Sequence, residues 1–200
     1  MSVAEAPDRL APPPGRRHLS ERQAEAMERL VRAAALEAEE RAYGDISVRT
    51  IARRAGLAPA TAYTYFSGKD HLLAEVLLRR VQSSVHVVDT TRSLPDRVAD
   101  TVRTMGFENM SPAAVSACTT ALLGDGPDEK RVRERIGAEI TRRLGDALGP
   151  GGDPRVIGVL QVTYTGAILS AGMGHLSVES VPSLMAEATA LMTGSKADAA

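Results

Sequence analysis

Hydrophobic and polar positions recur along almost the whole chain with the period of an α-helix, and runs with the two-residue alternation of a half-buried strand are missing. The clearest pattern lies between residues 127 and 148, where one apolar side recurs every four residues among arginines and glutamates. Its members are Val132, Ile136, Ile140, Leu144 and Leu148. The pattern predicts an all-α protein with about nine helices, at residues 20–42, 48–55, 59–65, 69–89, 95–109, 112–123, 127–148, 154–174 and 181–193.

The predicted helix at 154–174 is apolar on nearly every side, so other helices must cover most of its surface. Small residues along it would let another helix approach closely: Gly166, Ala167, Ser170, Ala171 and Gly174. Two interpretations remain open, a central core helix of a monomer or a helix in a dimer interface. The short chain offers few helices to cover this one, and this favours the dimer.

Two short amphipathic helices joined by a tight turn are predicted between residues 48 and 65. Ser47 stands at the N-cap position of the first helix, and Gly56 follows its end, where glycine is favoured. The polar side of the first helix carries Arg49, Thr50, Arg53 and Arg54. The second helix opens with Pro59. Two short helices separated by a glycine-containing turn indicate a helix-turn-helix unit.

Half of the chain's aromatic residues lie at the end of this unit, as Tyr63, Tyr65 and Phe66. On a helical wheel, Tyr65 and Phe66 fall on the side of Ala62, which predicts that they supply bulk to the core. Tyr63 falls on the opposite side among small residues, and a smooth helix face of this kind fits the major groove of DNA. The alternative is that Tyr63 covers a neighbouring helix.

The charge of the chain is unevenly distributed, although its net charge is only −1. From Arg41 to Lys69 there are five basic residues and one acid, a local charge of +4 that would attract a phosphate backbone. The single cysteine and the lack of a long apolar run predict a cytoplasmic protein without a membrane-spanning segment.

Catalytic and metal-binding patterns are missing. The four histidines are scattered and have no cysteine, histidine or carboxylate companions at metal-ligand spacing. No nucleophile with a base and an orienting group can be assembled from the sequence. We therefore expect no enzyme, no metal and no cofactor.

The segments SVRTIARRAGL (47–57) and TAYTYFSGKD (61–70) resemble the DNA-binding domain of TetR-type transcriptional repressors. The resemblance covers about the first 70–80 residues and includes the Tyr-x-Tyr-Phe and Lys-Asp ending that a generic helix-turn-helix lacks. One departure is Ala58, where the family usually has a serine that caps the third helix.

The resemblance implies a homodimer on a palindromic double-stranded DNA operator, with the last two helices in the dimer interface. It also implies a small-molecule effector that releases the DNA. The residues expected at the DNA are Ser47, Arg49, Arg53, Ala60, Thr61, Tyr63, Thr64 and Lys69. The expected division is a disordered arm at 1–18, a helix-turn-helix DNA-binding domain at 19–68, and a ligand-binding and dimerisation domain at 69–200.

An effector pocket is expected among the apolar and polar residues of the C-terminal helices. The candidate ligand-binding residues are Met105, Asn109, Met110, Cys118, Leu122, Thr163, Tyr164 and Ile168. The alternative is that the apolar members are plain core. A second function class also stays open: a helical ligand-binding or interaction protein whose helix-turn-helix no longer reads DNA, because positions 58, 60 and 62 are all alanine.

Overall fold

The computed structural model describes residues 14–105, 107 and 109–194, with side chains described from residue 21 onwards. Within these residues the chain forms nine α-helices and two short 3-10 turns, and no strand. The helices are α1 (Pro14–Glu40), α2 (Val48–Arg54), α3 (Pro59–Tyr65), α4 (Lys69–Ser83), α5 (Leu94–Thr104), α6 (Pro112–Ala121), α7 (Pro127–Leu148), α8 (Pro154–Gly172) and α9 (Val181–Thr193). The all-α prediction is confirmed.

Helix α1 begins at Pro14, inside the segment that was predicted to be a disordered arm. Proline suits the first turn of a helix, because the backbone N–H that it lacks has no hydrogen-bond partner within the helix at that position. The prediction of a disordered arm is therefore wrong for residues 14–18, while residues 1–13 lie outside the described residues.

Helix α4 ends at Ser83, six residues before the predicted end of the 69–89 helix. The guanidinium of Arg143, on α7, donates to the carbonyl oxygens of Val81 (2.5 Å) and Ser84 (3.0 Å) and to the Ser84 hydroxyl (2.7 Å). These carbonyls belong to the last turn, so a side chain distant in sequence satisfies the end of α4. The β-branched residues that follow have low helix propensity and do not extend the helix.

The surroundings of Arg143 are strongly charged. Glu139 accepts a hydrogen bond from Arg143 Nε (2.7 Å) and also pairs with Arg142, and these contacts lower the pKa of Glu139 to about 2. His86 lies in the loop after α4, not on the predicted fourth helix, with Nε2 3.4 Å from the Asp146 carboxylate. Burial, followed by the charge of Arg143, lowers the pKa of His86.

The N-terminal helices pack around a small core, with α2 against both α1 and α3. Its centre consists of side chains that are at most 2% exposed: Leu30, Ala34, Ile51, Ala62 and Phe66. Phe66 therefore lies inward as predicted, and Tyr65 is half-buried against the same core. Helix α1 also contacts α4 and α6, so packing crosses the predicted boundary between residues 68 and 69.

The remaining helices form a second layer of packing around α4 and α8. Helix α4 packs against α7 and α6, α8 packs against α6, α7 and α9, and α5 packs against α9. Helices α6 and α8 come close together at Gly172, where an added Cβ would clash with the Thr119 side chain. A larger residue at this crossing would require the Thr119 side chain to shift.

The turn between α2 and α3 depends on Gly56, whose φ is +65°. Arg29 of α1 donates from Nη2 to the carbonyl oxygens of Ala55 (2.5 Å) and Gly56 (3.3 Å), and an added Cβ at Gly56 would lie 2.9 Å from that nitrogen. The turn therefore needs glycine both for its left-handed backbone and for the contact with α1.

We predict that Gly56→Ala lowers the free energy of unfolding by about 1–3 kcal/mol, because alanine at positive φ is strained and its Cβ displaces Arg29. The measurement is urea unfolding followed by circular dichroism. Gly44→Ala is the matched control, since Gly44 has neither a positive φ nor an atom within 4 Å of an added Cβ. Equal losses in both variants would contradict the role assigned to the turn.

Candidate nucleic-acid interface and internal cavity

The outer face of α3 is neutral and made of small residues around one tyrosine. Pro59, Ala60 and Thr64 are exposed, and the Tyr63 side chain is 60% exposed. Thr64 donates from its hydroxyl to the carbonyl of Ala60 (3.1 Å), which leaves the Tyr63 hydroxyl as the most prominent polar group. Among the described residues, Tyr63 thus does not cover a neighbouring helix, which contradicts the alternative that it does.

Helix α2 lies beside this face and is capped by Ser47. The Ser47 hydroxyl accepts from the Thr50 N–H (3.1 Å), and the Thr50 hydroxyl accepts from the Ser47 N–H (3.1 Å). This reciprocal pair is a capping box that fixes the start of α2. Arg49 and Arg53 project from the exposed side of the helix.

The start of α3 has no side-chain cap. Ala58 occupies the N-cap position and Pro59 follows it at the first helical position. Pro59 removes one of the N–H groups that a cap would otherwise satisfy. The missing cap therefore agrees with the departure that the sequence showed at Ala58.

Three of the five basic residues between Arg41 and Lys69 are engaged within the protein. Arg54 pairs with Glu37 (2.8 Å) and Glu40, and Arg41 pairs with Glu37 (3.1 Å). The contact with Arg54 lowers the pKa of Glu40. The local charge of +4 therefore overstates the positive electrostatic potential of this surface, because two glutamates of α1 pair with its arginines.

Lys69, the third of these residues, is bound to the connection between α1 and α2. Its ammonium donates to the Tyr43 carbonyl (2.9 Å) and lies 3.8 Å from the centroid of the Tyr43 ring. The Tyr43 hydroxyl donates to Asp70 Oδ1 (2.6 Å), and burial together with this carboxylate raises the Tyr43 pKa to about 12. This cluster holds the start of α4 against the connection between α1 and α2.

The eight predicted DNA-binding residues thus fall into two groups. Arg49, Arg53, Ala60, Tyr63 and Thr64 are exposed on α2 and α3. The other three, Ser47, Thr61 and Lys69, are half-buried, with Ser47 and Lys69 hydrogen-bonded inside the protein. Within the described residues neither Arg49 nor Arg53 has an ion-pair partner, so these two carry the available positive charge of the surface.

An apolar cavity of about 70 Å³ lies among α4, α6, α7 and α8. Its lining is Leu77, Phe107, Thr119, Leu122, Ile136, Ile140, Tyr164, Thr165, Ile168 and Leu169. The hydroxyls of Thr119 and Thr165 already donate to backbone carbonyls at 2.7 Å and 2.9 Å. Among the described residues, no charged side chain lines this space.

Tyr164 differs from the two threonines that line the cavity. Its side chain is 2% exposed, its ring lies edge-on to Phe107, and its hydroxyl has no hydrogen-bond partner among the described residues. Burial raises the pKa of Tyr164, so the hydroxyl stays protonated. A buried hydroxyl without a hydrogen-bond partner lowers the stability of the fold, and a ligand oxygen that accepted this hydrogen bond would remove the penalty.

An open groove of about 210 Å³ adjoins the cavity between α7 and α8. The groove and the cavity share Leu122, Ile136, Ile140, Thr165 and Leu169. Arg133 and Gln161 line the groove but not the cavity. The two spaces are therefore adjacent, and together they are called the channel below, with its polar end at Arg133 and Gln161.

The structure distributes the predicted ligand-binding residues over several places. Leu122, Tyr164 and Ile168 line the cavity. The others do not: Met105 and Cys118 are fully buried, Asn109 is exposed, Thr163 bonds the Val159 carbonyl, and Met110 lines a separate surface depression beside α9. Burial raises the pKa of the Cys118 thiol to about 12, which fits a core side chain.

Sequence reasoning missed the contribution of α7 to the cavity. Ile136 and Ile140 were recognised as part of an apolar stripe, but the stripe does not show which of its members face a void. Leu77 of α4 was missed for the same reason, because helix α4 is buried around most of its circumference.

Among the described residues, nothing covers several apolar side chains on α8 and α9. Val159, Val162 and Leu191 are 51%, 73% and 82% exposed, and no described atom lies within 4 Å of a Cβ built at Gly166. Exposed apolar surface of this kind is typical of an interaction site.

The described residues contain neither a metal-binding cluster nor a membrane-spanning helix. Among the described residues, no three histidine, cysteine or acidic side chains converge as metal ligands do. Over the same part of the chain, every helix is too short or too polar to cross a bilayer.

We predict that Tyr164→Phe raises the free energy of unfolding of the empty protein by about 1–3 kcal/mol, because it removes a buried hydroxyl that has no partner. Thermal unfolding measures the change. Tyr63→Phe is the control, since the exposed Tyr63 hydroxyl is solvated and its loss should leave stability unchanged. A destabilised Tyr164→Phe protein would show that the hydroxyl has a partner.

Comparisons with known proteins agree with this arrangement of helices. Residues 30–76 match the family model of bacterial regulatory proteins of the tetR family. Uncharacterized HTH-type transcriptional regulators of Mycobacterium tuberculosis and Mycobacterium bovis are 41% identical over 163 residues, which cover 80% of this chain and 76% of theirs.

Solved structures share the fold over nearly the full described length. A TetR transcriptional regulator from Rhodococcus sp. RHA1 has a TM-score of 0.69 at 24% identity, covering 86% of this chain and 97% of its own. FadR from Bacillus subtilis, in complex with stearoyl-CoA, has a TM-score of 0.53 at 14% identity, covering 81% and 97%. Helix order, the helix-turn-helix surface and the mycobacterial relatives lead to one conclusion: the chain belongs to the TetR family of DNA-binding transcriptional regulators.

Proposed function

We propose that the protein is a cytoplasmic repressor that binds a palindromic operator as a homodimer and is released when a small molecule enters the channel between α7 and α8. The observation that carries the proposal is the exposed α3 face around Tyr63, next to Arg49 and Arg53. Gel-shift titration of the protein on the DNA upstream of its own gene tests it. Binding no tighter than to random DNA would contradict it and favour a helix-turn-helix that does not read sequence.

Two kinds of contact are proposed at the operator. Tyr63, Ala60 and Thr64 would enter the major groove, where hydroxyls bond phosphates or base edges and methyl groups meet thymine methyls. Arg49 and Arg53 would neutralise phosphates beside the groove, together with the polar groups of Ser47, Thr61 and Lys69. Two arginines with no ion-pair partner in the described chain support this division of roles.

The proposed dimer forms through the uncovered face of α8 and α9. Val159, Val162 and Leu191 supply its apolar centre, and Gly166 allows a close approach of the partner's helix. A palindromic operator requires two reading heads related by a two-fold axis, which such a dimer provides.

The proposed effector site is the apolar cavity at Tyr164 with its outer groove. Leu77 lies on α4, the helix whose first turn holds Tyr43 of the DNA-binding unit. A ligand that displaces α4 would therefore move the reading head. The complex of FadR with stearoyl-CoA shows that this fold accommodates a small molecule in another protein.

We predict that Tyr63→Ala weakens operator binding by about 1–3 kcal/mol, because it removes a base or phosphate contact, and leaves thermal stability unchanged. Phe66→Ala should instead destabilise the fold by about 3–5 kcal/mol, since Phe66 is 2% exposed. Gel shift and thermal unfolding of both variants separate the two roles. Similar loss of stability in both would contradict the outward role of Tyr63.

We predict that Arg53→Ala makes the dependence of operator affinity on salt less steep, by about 2 units of the log–log slope for a dimer that loses two phosphate contacts. Fluorescence anisotropy at several salt concentrations measures this slope. Arg131→Ala on α7, whose side chain is 71% exposed and pairs with Asp128, should leave it unchanged. An unchanged slope for Arg53→Ala would remove Arg53 from the DNA contact.

We predict that Val162→Asp converts the protein to a monomer, because it places a charge in the apolar centre of the proposed interface. Size-exclusion chromatography with light scattering measures the mass. Val85→Asp is the control, since Val85 is 77% exposed but lies in the loop after α4. A dimer that survives Val162→Asp would place the interface elsewhere.

A further inference from the structure

We propose that the effector is an elongated amphipathic anion whose carboxylate-like head lies at Arg133 and whose apolar tail runs inward to Tyr164. This inference rests on the proposed function, because it names the chemical class of molecule that fills the same channel. It follows from the two ends of the channel, which differ in charge and in hydrogen-bonding capacity.

The outer end carries a guanidinium that has no ion-pair partner among the described residues. Arg133 Nη1 donates to the Leu122 carbonyl (2.7 Å) and the Gly124 carbonyl, and these are neutral acceptors. The buried Glu129 lies one turn earlier on α7 but does not pair with this guanidinium, and Nε and Nη2 have no hydrogen-bond partner in the described chain. The other four arginines of α7 each pair with an acidic residue: Arg131, Arg135, Arg142 and Arg143. Arg133 is therefore held in place at the groove with donors left for an anion.

Gln161 is the second polar residue that lines the groove beside Arg133. The Thr141 hydroxyl lies 2.8 Å from both the Gln161 side-chain oxygen and the Gly137 carbonyl, and the Gln161 amide nitrogen lies 3.5 Å from the same carbonyl. This contact is long, and the amide remains available as a second donor at the groove. The outer end thus offers donors from Arg133 and Gln161.

The inner end excludes charge. Its lining is apolar apart from the two threonine hydroxyls, which donate to backbone carbonyls, and the Tyr164 hydroxyl. An ionic group placed there would lose its hydration without gaining a partner. The inner part of the ligand is therefore uncharged, and an oxygen atom at its tip would pair the Tyr164 hydroxyl.

The size of the channel sets the length of the ligand. The groove and the cavity, of about 210 Å³ and 70 Å³, together hold about nine water-sized groups. A methylene group is of similar size, so a chain of about ten carbons fills the channel with its carboxylate at the mouth. Decanoate is accordingly a suitable probe.

The first experiment compares three probes of one chain length by calorimetry on the full-length protein without DNA, below the concentrations at which they form micelles. Decanoate should bind about tenfold more tightly than decanol, and decylammonium should bind more weakly than either. Arg133→Gln should lower the affinity for decanoate about tenfold and leave that for decanol unchanged. Arg131→Gln, two residues away on the same helix, should change neither.

If Arg133→Gln unfolds, Arg133→Lys is the second variant, because lysine keeps the positive charge. Arg133→Lys should still bind decanoate more tightly than decanol. Equal binding of the two probes to the wild type, no binding of any probe, or equal losses in Arg133→Gln and Arg131→Gln would each overturn the proposal. Circular dichroism of every variant confirms that the fold is intact.

A second comparison tests the inner end. A terminal hydroxyl on the probe should strengthen binding, so 10-hydroxydecanoate should bind more tightly than decanoate to the wild type, and Tyr164→Phe should abolish the difference. Equal affinities of both probes for the wild type would overturn the role of Tyr164.

The failure of this inference and that of the proposed function are distinguishable. Decanoate that binds at Arg133 but does not release operator DNA would leave the ligand class standing and contradict the proposed release. Release of DNA by a neutral or cationic molecule, with no binding of decanoate, would support the function and overturn the ligand class.

Discussion

The buried guanidinium of Arg143 fixes where α4 ends, and the position of α4 determines most of the remaining structure. Only 1% of Arg143 is exposed, and its donors satisfy the carbonyls of Val81 and Ser84 while Glu139 balances its charge. A buried charge with all of its partners in place tolerates little displacement, because loss of one partner leaves the others unpaired in a medium of low dielectric constant. Helices α4 and α7 are therefore joined at this end as one unit.

The other end of α4 is held by a different kind of contact. Lys69 and Asp70 bind the backbone and hydroxyl of Tyr43, so the first turn of α4 moves with the connection between α1 and α2. Leu77 lies between these two anchors and lines the internal cavity. In the proposed function, a helix fixed to the helix-turn-helix unit at one end and to α7 at the other would transmit a change in the cavity to the DNA-binding surface.

Features with a local cause could be predicted from the sequence, and features with a distant cause could not. The bounds of α3, α7 and α9 follow from prolines at their starts and from side-chain periodicity, and the structure has them at the predicted residues. The end of α4 depends on Arg143, about sixty residues further along the chain, and no local pattern contains that information. The charge around α2 was overestimated for the same reason, because Glu37 and Glu40 lie outside the window that was counted.

The cavity illustrates the same limit. Leu122, Tyr164 and Ile168, three of the expected ligand-binding residues, line the cavity, since apolar helices must face each other somewhere. Whether a buried residue such as Cys118 faces a void or a neighbour depends on packing differences of about one methyl group. Helical periodicity does not resolve differences of that size.

The small residues of α3 also affect the thermodynamics of docking. Pro59 and Ala60 have no side-chain rotamers to lose, and Thr64 is already held by the Ala60 carbonyl. Long lysine or arginine side chains on the same face would each lose up to about 2 kcal/mol of rotamer entropy when they became ordered. In the proposed complex the face of α3 would thus be largely preorganised: it would lack strong charge–charge contacts at the centre of the interface, and in return its shape would change little on binding.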